Sequence, residues 1–418
     1  MNQATTTMGR EQPFDVLIAG GSFAGLALAL ALARTPASCL AVGIVERGHI
    51  ALDEPAGDPR AFAISAGSKS LLDAIGVWPH VAREAEPVSG IDITDSALGD
   101  IMRPVLLSYD TIIAGDPQML ILPAGRLRHA LLQEVLAEPG IRVVAPAAVA
   151  GIDTGPGWSE CRLADGNSIA GRLIVAADGA RSPVRSMIGI GGVGGSYAQR
   201  GIAAIVAHER EHEGRAVQHF LPAGPFALLP LPGRRSCITW SEGEADARRI
   251  MALDDAGFIA EAQKRAGWRL GALTLEGRRA DWPLGVHLAR RLVAPRLALI
   301  GDAARSVHPI AGQGVNLGFR DVAALAQSVV EGTRLGLDTG DATILERYER
   351  WRRLDGTQSA AAFTALNALF SNDVTALRTL RDAGLGLLDR LPGLKQMLVA
   401  EAAGRTGVVP CLLEGRPI

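Results

Sequence analysis

The sequence predicts an α/β protein with a Rossmann-like nucleotide-binding domain, an inserted antiparallel-sheet domain and a helical C-terminus. Three apolar runs predict the first part: Phe14–Ala19, the run after Arg172, and Leu297–Ile300. Each ends in a glycine-bearing turn that leads into a helical pattern. A switch of hydrophobic period to two over residues 90–108, and a run of strands over 197–240 broken by Pro222, Gly224, Pro225, Pro230 and Pro232, predict the insert.

The front element runs FDVLIA, then Gly20-Gly21-Ser22-Phe23-Ala24-Gly25, then a helix from Leu26. This is the strand–turn–helix setting of a dinucleotide fingerprint, with Ser22 in the middle-glycine place. A serine still permits close backbone approach, and its hydroxyl can bond a phosphate. A second strand, Leu40–Val45, ends at Glu46, where a carboxylate can grip the ribose of an adenosine half. Residues 16–33 carry no charge and are long enough to cross a bilayer, but three glycines and the flanking Asp15 and Arg34 favour strand–turn–helix.

Residues 172–185 (RLIVAADGARSPVR) read as a buried strand, an Asp178-Gly179 turn and a helix opening at Pro183. Asp178 is either a cap for that helix or a group facing a ligand. The late run LALIGDAARSVHPIAGQGVNLGF, from Leu297 to Phe319, is the richest. Asp302 follows a strand end, where open α/β sheets place ligands. As an acceptor only, it suits sugar or ribityl hydroxyls. Pro309, Gly312, Gln313, Gly314, Val315 and Asn316 form a turn that opens a helix, so bare N–H groups and the positive helix end face whatever sits there. A polyhydroxylated cofactor whose other end becomes anionic fits both, and reduced flavin answers that description.

These three pieces, in this order, resemble the class A flavoprotein monooxygenases, aromatic hydroxylases of the p-hydroxybenzoate-hydroxylase-like fold with an FAD domain and a substrate domain. Further segments resemble its ubiquinone-biosynthesis branch: Arg60–Ser65 followed by Ser70–Trp78, Gly224–Leu231, His308–Asn316, Leu369–Ser371, Gly384-Leu385 and Pro392–Lys395. The resemblance spans nearly the whole chain. The family usually has His where Arg305 stands and commonly Gly at Ser22. Ala124 stands where an Arg often touches the flavin side chain, with Arg126 and Arg128 nearby.

The resemblance implies FAD as cofactor, with NAD(P)H and O2 as co-substrates, and a polyprenylated phenol of ubiquinone biosynthesis as substrate. A 2-polyprenyl-6-methoxyphenol is favoured by the C-terminal segments. It assigns cofactor contacts to Gly20, Gly21, Ser22, Ala24, Gly25, Glu46, Arg47, Arg60 (pyrophosphate), Asp178, Asp302 (ribityl chain), Pro309 (beside the reactive edge), Gly312, Gln313, Gly314, Val315 and Asn316. No side chain is singled out as catalytic, since the cofactor carries the chemistry. A hydroxylase of a small soluble phenol, or a flavin-binding but non-catalytic member of a ubiquinone-biosynthesis complex, are the alternatives.

The expected domains are 1–75, 110–190 and 285–345 for FAD, 76–109 and 191–284 for substrate, and 346–418 for the helical C-terminus, with everything after Ala342 read as helical. A net charge of -2 excludes a nucleic-acid footprint. The 4 cysteines lack CxxC spacing, which argues against disulfides or a cysteine zinc site and suits a reducing cytoplasm. The polar first thirteen residues read as a disordered leader, not a signal peptide. His208-Glu209-Arg210-Glu211-His212 matches HExxH, but it lies between strand-like runs and reads as a solvated hairpin tip, so no metal is expected. Trp78, Trp240 and Trp282 read as packing residues, and His308 as ordering the cofactor loop. Arg305 is either a surface ion-pair partner or a flavin neighbour. The leucines from Leu366 to Leu388 read as helix packing or as a surface for partner proteins or peripheral contact with the inner membrane.

Overall fold

A computed structural model describes residues 12–35, 40–50, 52, 57–95, 98, 103–308, 314–353 and 408–418. Along the chain, β1 (Phe14–Ala19), α1 (Phe23–Ala33) and β2 (Val42–Val45) come first. β3 (Ala61–Ser65), α2 (Ala66–Ala74), α3 (Trp78–Val81), β4 (Glu86–Pro87), β5 (Gly90–Asp95) and β6 (Val105–Asp110) follow. A small hairpin, β7 (Ile112–Ile113) and β8 (Asp116–Pro117), precedes β9 (Met119–Pro123) and α4 (Ala124–Ala137). Then come β10 (Ile141–Val144), β11 (Val149–Thr154), β12 (Ser159–Leu163), β13 (Ser168–Ala176) and α5 (Pro183–Met187). The insert continues with β14 (Gly192–His208), β15 (Arg215–Leu221), β16 (Gly224–Leu231), β17 (Arg235–Gly243), α6 (Glu244–Met251), α7 (Asp255–Ala266) and β18 (Leu273–Ala289). β19 (Val293–Ala294), β20 (Leu297–Leu299), β21 (Arg305–Ser306) and α8 (Gly314–Arg334) complete the labelled elements.

The first sheet has a parallel centre, β10-β2-β1-β13-β20, extended by the β11–β12 hairpin. α1 is apolar on every side because it is buried from Gly25 to Leu32, so the uncharged stretch belongs to a protein interior. No described helix is long and apolar enough to cross a membrane. Glycine is required at two points of the first turn. A Cβ on Gly20 (φ +115°) would stand 2.4 Å from the Ala177 carbonyl oxygen, and one on Gly25 would stand 2.0 Å from that of Gly20.

The second sheet is eight-stranded and mixed, in the order β21-β18-β14-β17-β16-β15-β5-β6. α6 and α7 cover it over Phe226, Trp240, Ile250 and Phe258. β14 and β18, of 17 residues each, run from the insert back to the first domain. Three details differ from the sequence expectation. Pro225 and Pro230 lie inside β16 rather than breaking it: each gives up one ladder donor, but all eight residues of the strand are buried. Val77, Trp78, Val81 and Ala85 pack in the first core, so the expected limit at residue 76 cuts through that core. Residues after Ala342 are not uniformly helical: 342–353 are, but 408–418 hold only the short 3-10 turn Cys411–Glu414. Pro410 precedes that turn, Gly415 (φ +74°) ends it, and Leu412 and Leu413 bury against the first core. The leucine pattern over 366–388 and the segments at 369–371, 384–385 and 392–395 lie outside the described residues.

Candidate functional site

Register places the site. Val45 pairs with Ala19, Ala19 with Ala176, and Ala176 with Leu299, so four parallel strands end on one line. Glu46, Gly20–Ser22, Ala177–Ala180 and Ile300–Asp302 follow those ends directly. The sequence separates these segments by up to 282 positions, from Gly20 to Asp302, and strand pairing joins them. A cavity of about 350 Å³ opens here. The first sheet contributes Ser22, Phe23, Ala24, Ala177, Gly179, Ala180, Ile300, Gly301 and Asp302 to its wall. Gly314, Val315 and Gly318 contribute the first turns of the 21-residue helix α8. The insert closes it with Thr239, Trp282, Pro283, Leu284 and Gly285.

Asp302 stands in the wall, open to the cavity and otherwise enclosed by protein. Burial pushes its carboxyl up to about 6, opposed by the charge of Arg60 and aided by that of Asp321. Arg60 is held by Asp58 at 2.6 Å and lies 5.7 Å from the Phe62 ring centre and 5.8 Å from that of Trp282. That pairing with Asp58 keeps its guanidinium charged and places it in the wall.

Glu46 already accepts the Gly21 N–H at 2.6 Å and the Gly48 N–H at 2.8 Å. Each carboxylate oxygen keeps a further lone pair, enough for a ribose hydroxyl. Glu46→Ala is therefore expected to weaken nucleotide binding by about 1–3 kcal/mol, through a lost charge-assisted acceptor and a loosened turn. Fluorescence titration of the apoprotein with FAD measures this, and unchanged affinity would place the adenosine half elsewhere.

Other expected residues take different places. Asp178 caps: its Oδ2 accepts the Val184 N–H at 3.0 Å, and its Oδ1 is buried without a partner. Its neighbours Ala177, Gly179 and Ala180, not its carboxylate, form the cavity wall. The Asn316 side chain faces the protein, accepting from Ser65 N and donating to Ala63 O at 2.7 Å, so it fastens β3 beside α8. Arg47 is exposed. Pro309, Gly312 and Gln313 lie outside the described residues. Trp282, expected in the core, lines the cavity.

His308 is buried against Tyr197, with ring centres 5.2 Å apart, and neither of its nitrogens has a hydrogen-bond partner among the described residues. Burial pushes it down to about 4, so it is neutral at physiological pH. Arg305 neither lies on the surface nor lines this cavity. It is a buried partner of Asp321 at 3.0 Å, and Asp321 also takes Arg352 at 2.7 Å and the Gly301 N–H at 3.0 Å. Asp321 thus anchors the turn that carries Asp302, a role with no local motif to announce it.

In the HExxH segment the two imidazoles are buried, not solvated. His208 binds Arg210 O and Ser236 Oγ, and His212 binds Leu231 O and Gly214 N. All four ring nitrogens are thereby engaged. The segment lies at a strand end and turn, where the zinc-protease pattern needs a helix.

The cavity fits a ribityl-bearing nucleotide on three observations. Gly179 and Gly314 line it with no atom of the described residues within 4 Å of where a Cβ would stand, which leaves room for a ligand against the backbone. The α8 N-terminus faces it, and Asp302 offers a hydroxyl acceptor.

Comparison with known proteins agrees. Residues 13–362 match the family described as FAD binding domain. Ubiquinone hydroxylase UbiL of Rhodospirillum rubrum is 38% identical over 97% of this chain and 93% of its own. The 3-demethoxyubiquinol 3-hydroxylase of Escherichia coli is 33% identical over 94% of this chain and 99% of its own. Among solved structures, p-nitrophenol 4-monooxygenase PnpA from Pseudomonas putida superposes with TM-score 0.78 at 20% identity, covering 96% of this chain and 100% of that one. That last likeness speaks to the fold alone.

Proposed function

The chain belongs to the class A FAD-dependent aromatic hydroxylases related to the ubiquinone-biosynthesis monooxygenases, and from that premise we propose that it hydroxylates the ring of a polyprenylated phenol, using NAD(P)H and O2. The observation that carries the reading is the single line of strand ends, with Asp302 and the first turns of α8 lining one cavity beside it. FAD held there would supply the redox chemistry and oxygen activation, with NAD(P)H as the reductant.

The chain supplies position and field. Glu46 accepts from the adenosine ribose, and Asp302 from the ribityl hydroxyls. Arg60 neutralises the pyrophosphate. The first-turn N–H groups of α8 at Gly314 and Val315, which lack partners within the helix, would stabilise negative charge on the cofactor together with the helix dipole. Trp282, Pro283 and Leu284, brought by β18, form an apolar wall that keeps water from the ring being oxidised. Ser22 offers its hydroxyl to a phosphate, because its side chain caps nothing at the start of α1.

A phenol with a long prenyl tail resides in lipid. We therefore place the working enzyme at the cytoplasmic face of the inner membrane, in peripheral contact with it, and name a methoxylated polyprenyl phenol as the substrate. The test is NAD(P)H oxidation by the purified holoenzyme, with the products followed by mass spectrometry. A polyprenyl methoxyphenol should stimulate oxidation and gain one oxygen atom, whereas an untailed phenol should do so poorly. Preference for the small phenol would overturn the substrate, and a flavin that NAD(P)H never reduces would overturn the enzyme.

A further inference from the structure

We propose that a second cavity, of about 390 Å³ and sharing no lining residue with the first, binds a phosphate group carried on an apolar body. Val193, Leu288 and Leu292 give it an apolar lining, while Arg290, Arg291 and Arg305 give it charge. β21 separates the two cavities. In an extended strand neighbouring side chains point to opposite faces, and here Ser306 lines the first cavity and Arg305 the second.

The positive charge is under-compensated. The Arg305 side chain is 1% exposed, and among the described residues its one carboxylate partner is Asp321, which Arg352 shares. Arg305 Nε and Nη2 have no hydrogen-bond partner among the described residues. The Arg290 and Arg291 side chains are exposed and have no ion-pair partner among the described residues. The acid in the lining, Glu349, accepts the Leu292 N–H at 2.7 Å. A buried guanidinium that shares its counter-ion projects a field in low dielectric, which two exposed guanidiniums in the same lining reinforce. Guanidinium groups suit phosphate oxygens through paired, charge-assisted hydrogen bonds. The apolar lining selects a phosphate attached to something greasy or flat over the free ion.

Two sources carry that chemistry: the headgroup of an anionic phospholipid, and the phosphates of a soluble nucleotide such as NADPH. The site stands on charge and shape, and its failure leaves the hydroxylase reading untouched. The test uses the full-length holoenzyme and the double variant R290Q/R291Q, which alters exposed residues away from the first cavity. FAD content, expected to be unchanged, verifies that the variant is folded. Sedimentation is measured with vesicles of phosphatidylcholine alone and with added phosphatidylglycerol. KM for NADPH is measured separately.

A lipid source predicts binding to the phosphatidylglycerol vesicles that salt weakens and that the variant loses by about tenfold or more, with KM unchanged. A nucleotide source predicts a KM raised by about tenfold with equal sedimentation. If the variant matches the wild type in both measurements, the site does not exist.

Discussion

Asp321→Ala is expected to destabilise the folded protein by about 3–5 kcal/mol, the cost of stripping one partner from a buried ion pair. Asp321 is fully buried and satisfies three donors: Arg305, Arg352 and the Gly301 N–H. Removing it takes their shared anion from Arg305 and Arg352 and frees the Gly301 turn, whose φ of +58° suits glycine. Asp321→Asn should fall between, since it keeps an acceptor for Gly301 but loses the charge. Thermal unfolding of the holoproteins reads the order wild type, then Asn, then Ala. Melting temperatures within about 1 °C of one another would show that the network adds nothing, because about 3 kcal/mol should shift a chain of this size by several degrees.

Asp302→Ala is expected to fold yet purify largely without FAD. The proposed contact is a charge-assisted hydrogen bond, worth about 1.5–3 kcal/mol, or roughly 10–150-fold in affinity. A pH dependence follows from the carboxyl lying at about 6 in the empty cavity. The ionised form is the strong acceptor. FAD affinity should therefore be full above that value and fall as pH drops through it, because protonation of Asp302 favours the empty protein. Asp302→Asn should bind weakly and show no such inflection. Titration of the apoproteins with FAD between pH 5 and about 8 checks both. An inflection that persists in the Asn variant assigns it to another group, and wild-type flavin content in Asp302→Ala removes Asp302 from the site.

The parts of the site legible in the sequence are those whose chemistry is local. Gly20 and Gly25 are dictated by a turn a few residues long, Glu46 by the end of a strand, and Asp302 by its place between strand and helix. What remained hidden depends on partners distant in the chain. Asp321 reads as one acid on a helix until the fold places Gly301, Arg305 and Arg352 around it. Trp282 sits mid-strand, and its place in the cavity wall comes with the pairing of β18 to β14 and β21 in the second sheet. Asp178 kept two readings because a carboxylate after a strand can cap a helix or face a ligand, and here the Val184 N–H claims it. The prolines of β16 misled because they break isolated strands, whereas this one is buried between two neighbours. The order of the large insert sheet, with β5 parallel to β15, had no signal in either segment.

The central claim is that four strand ends and the start of α8 hold one FAD. A crystal structure of the FAD complex tests it most directly. The account predicts the ribityl hydroxyls within hydrogen-bond reach of Asp302, the adenosine ribose at Glu46 and the isoalloxazine ring toward Gly314 and Trp282. Flavin bound at any other place on the chain would contradict it.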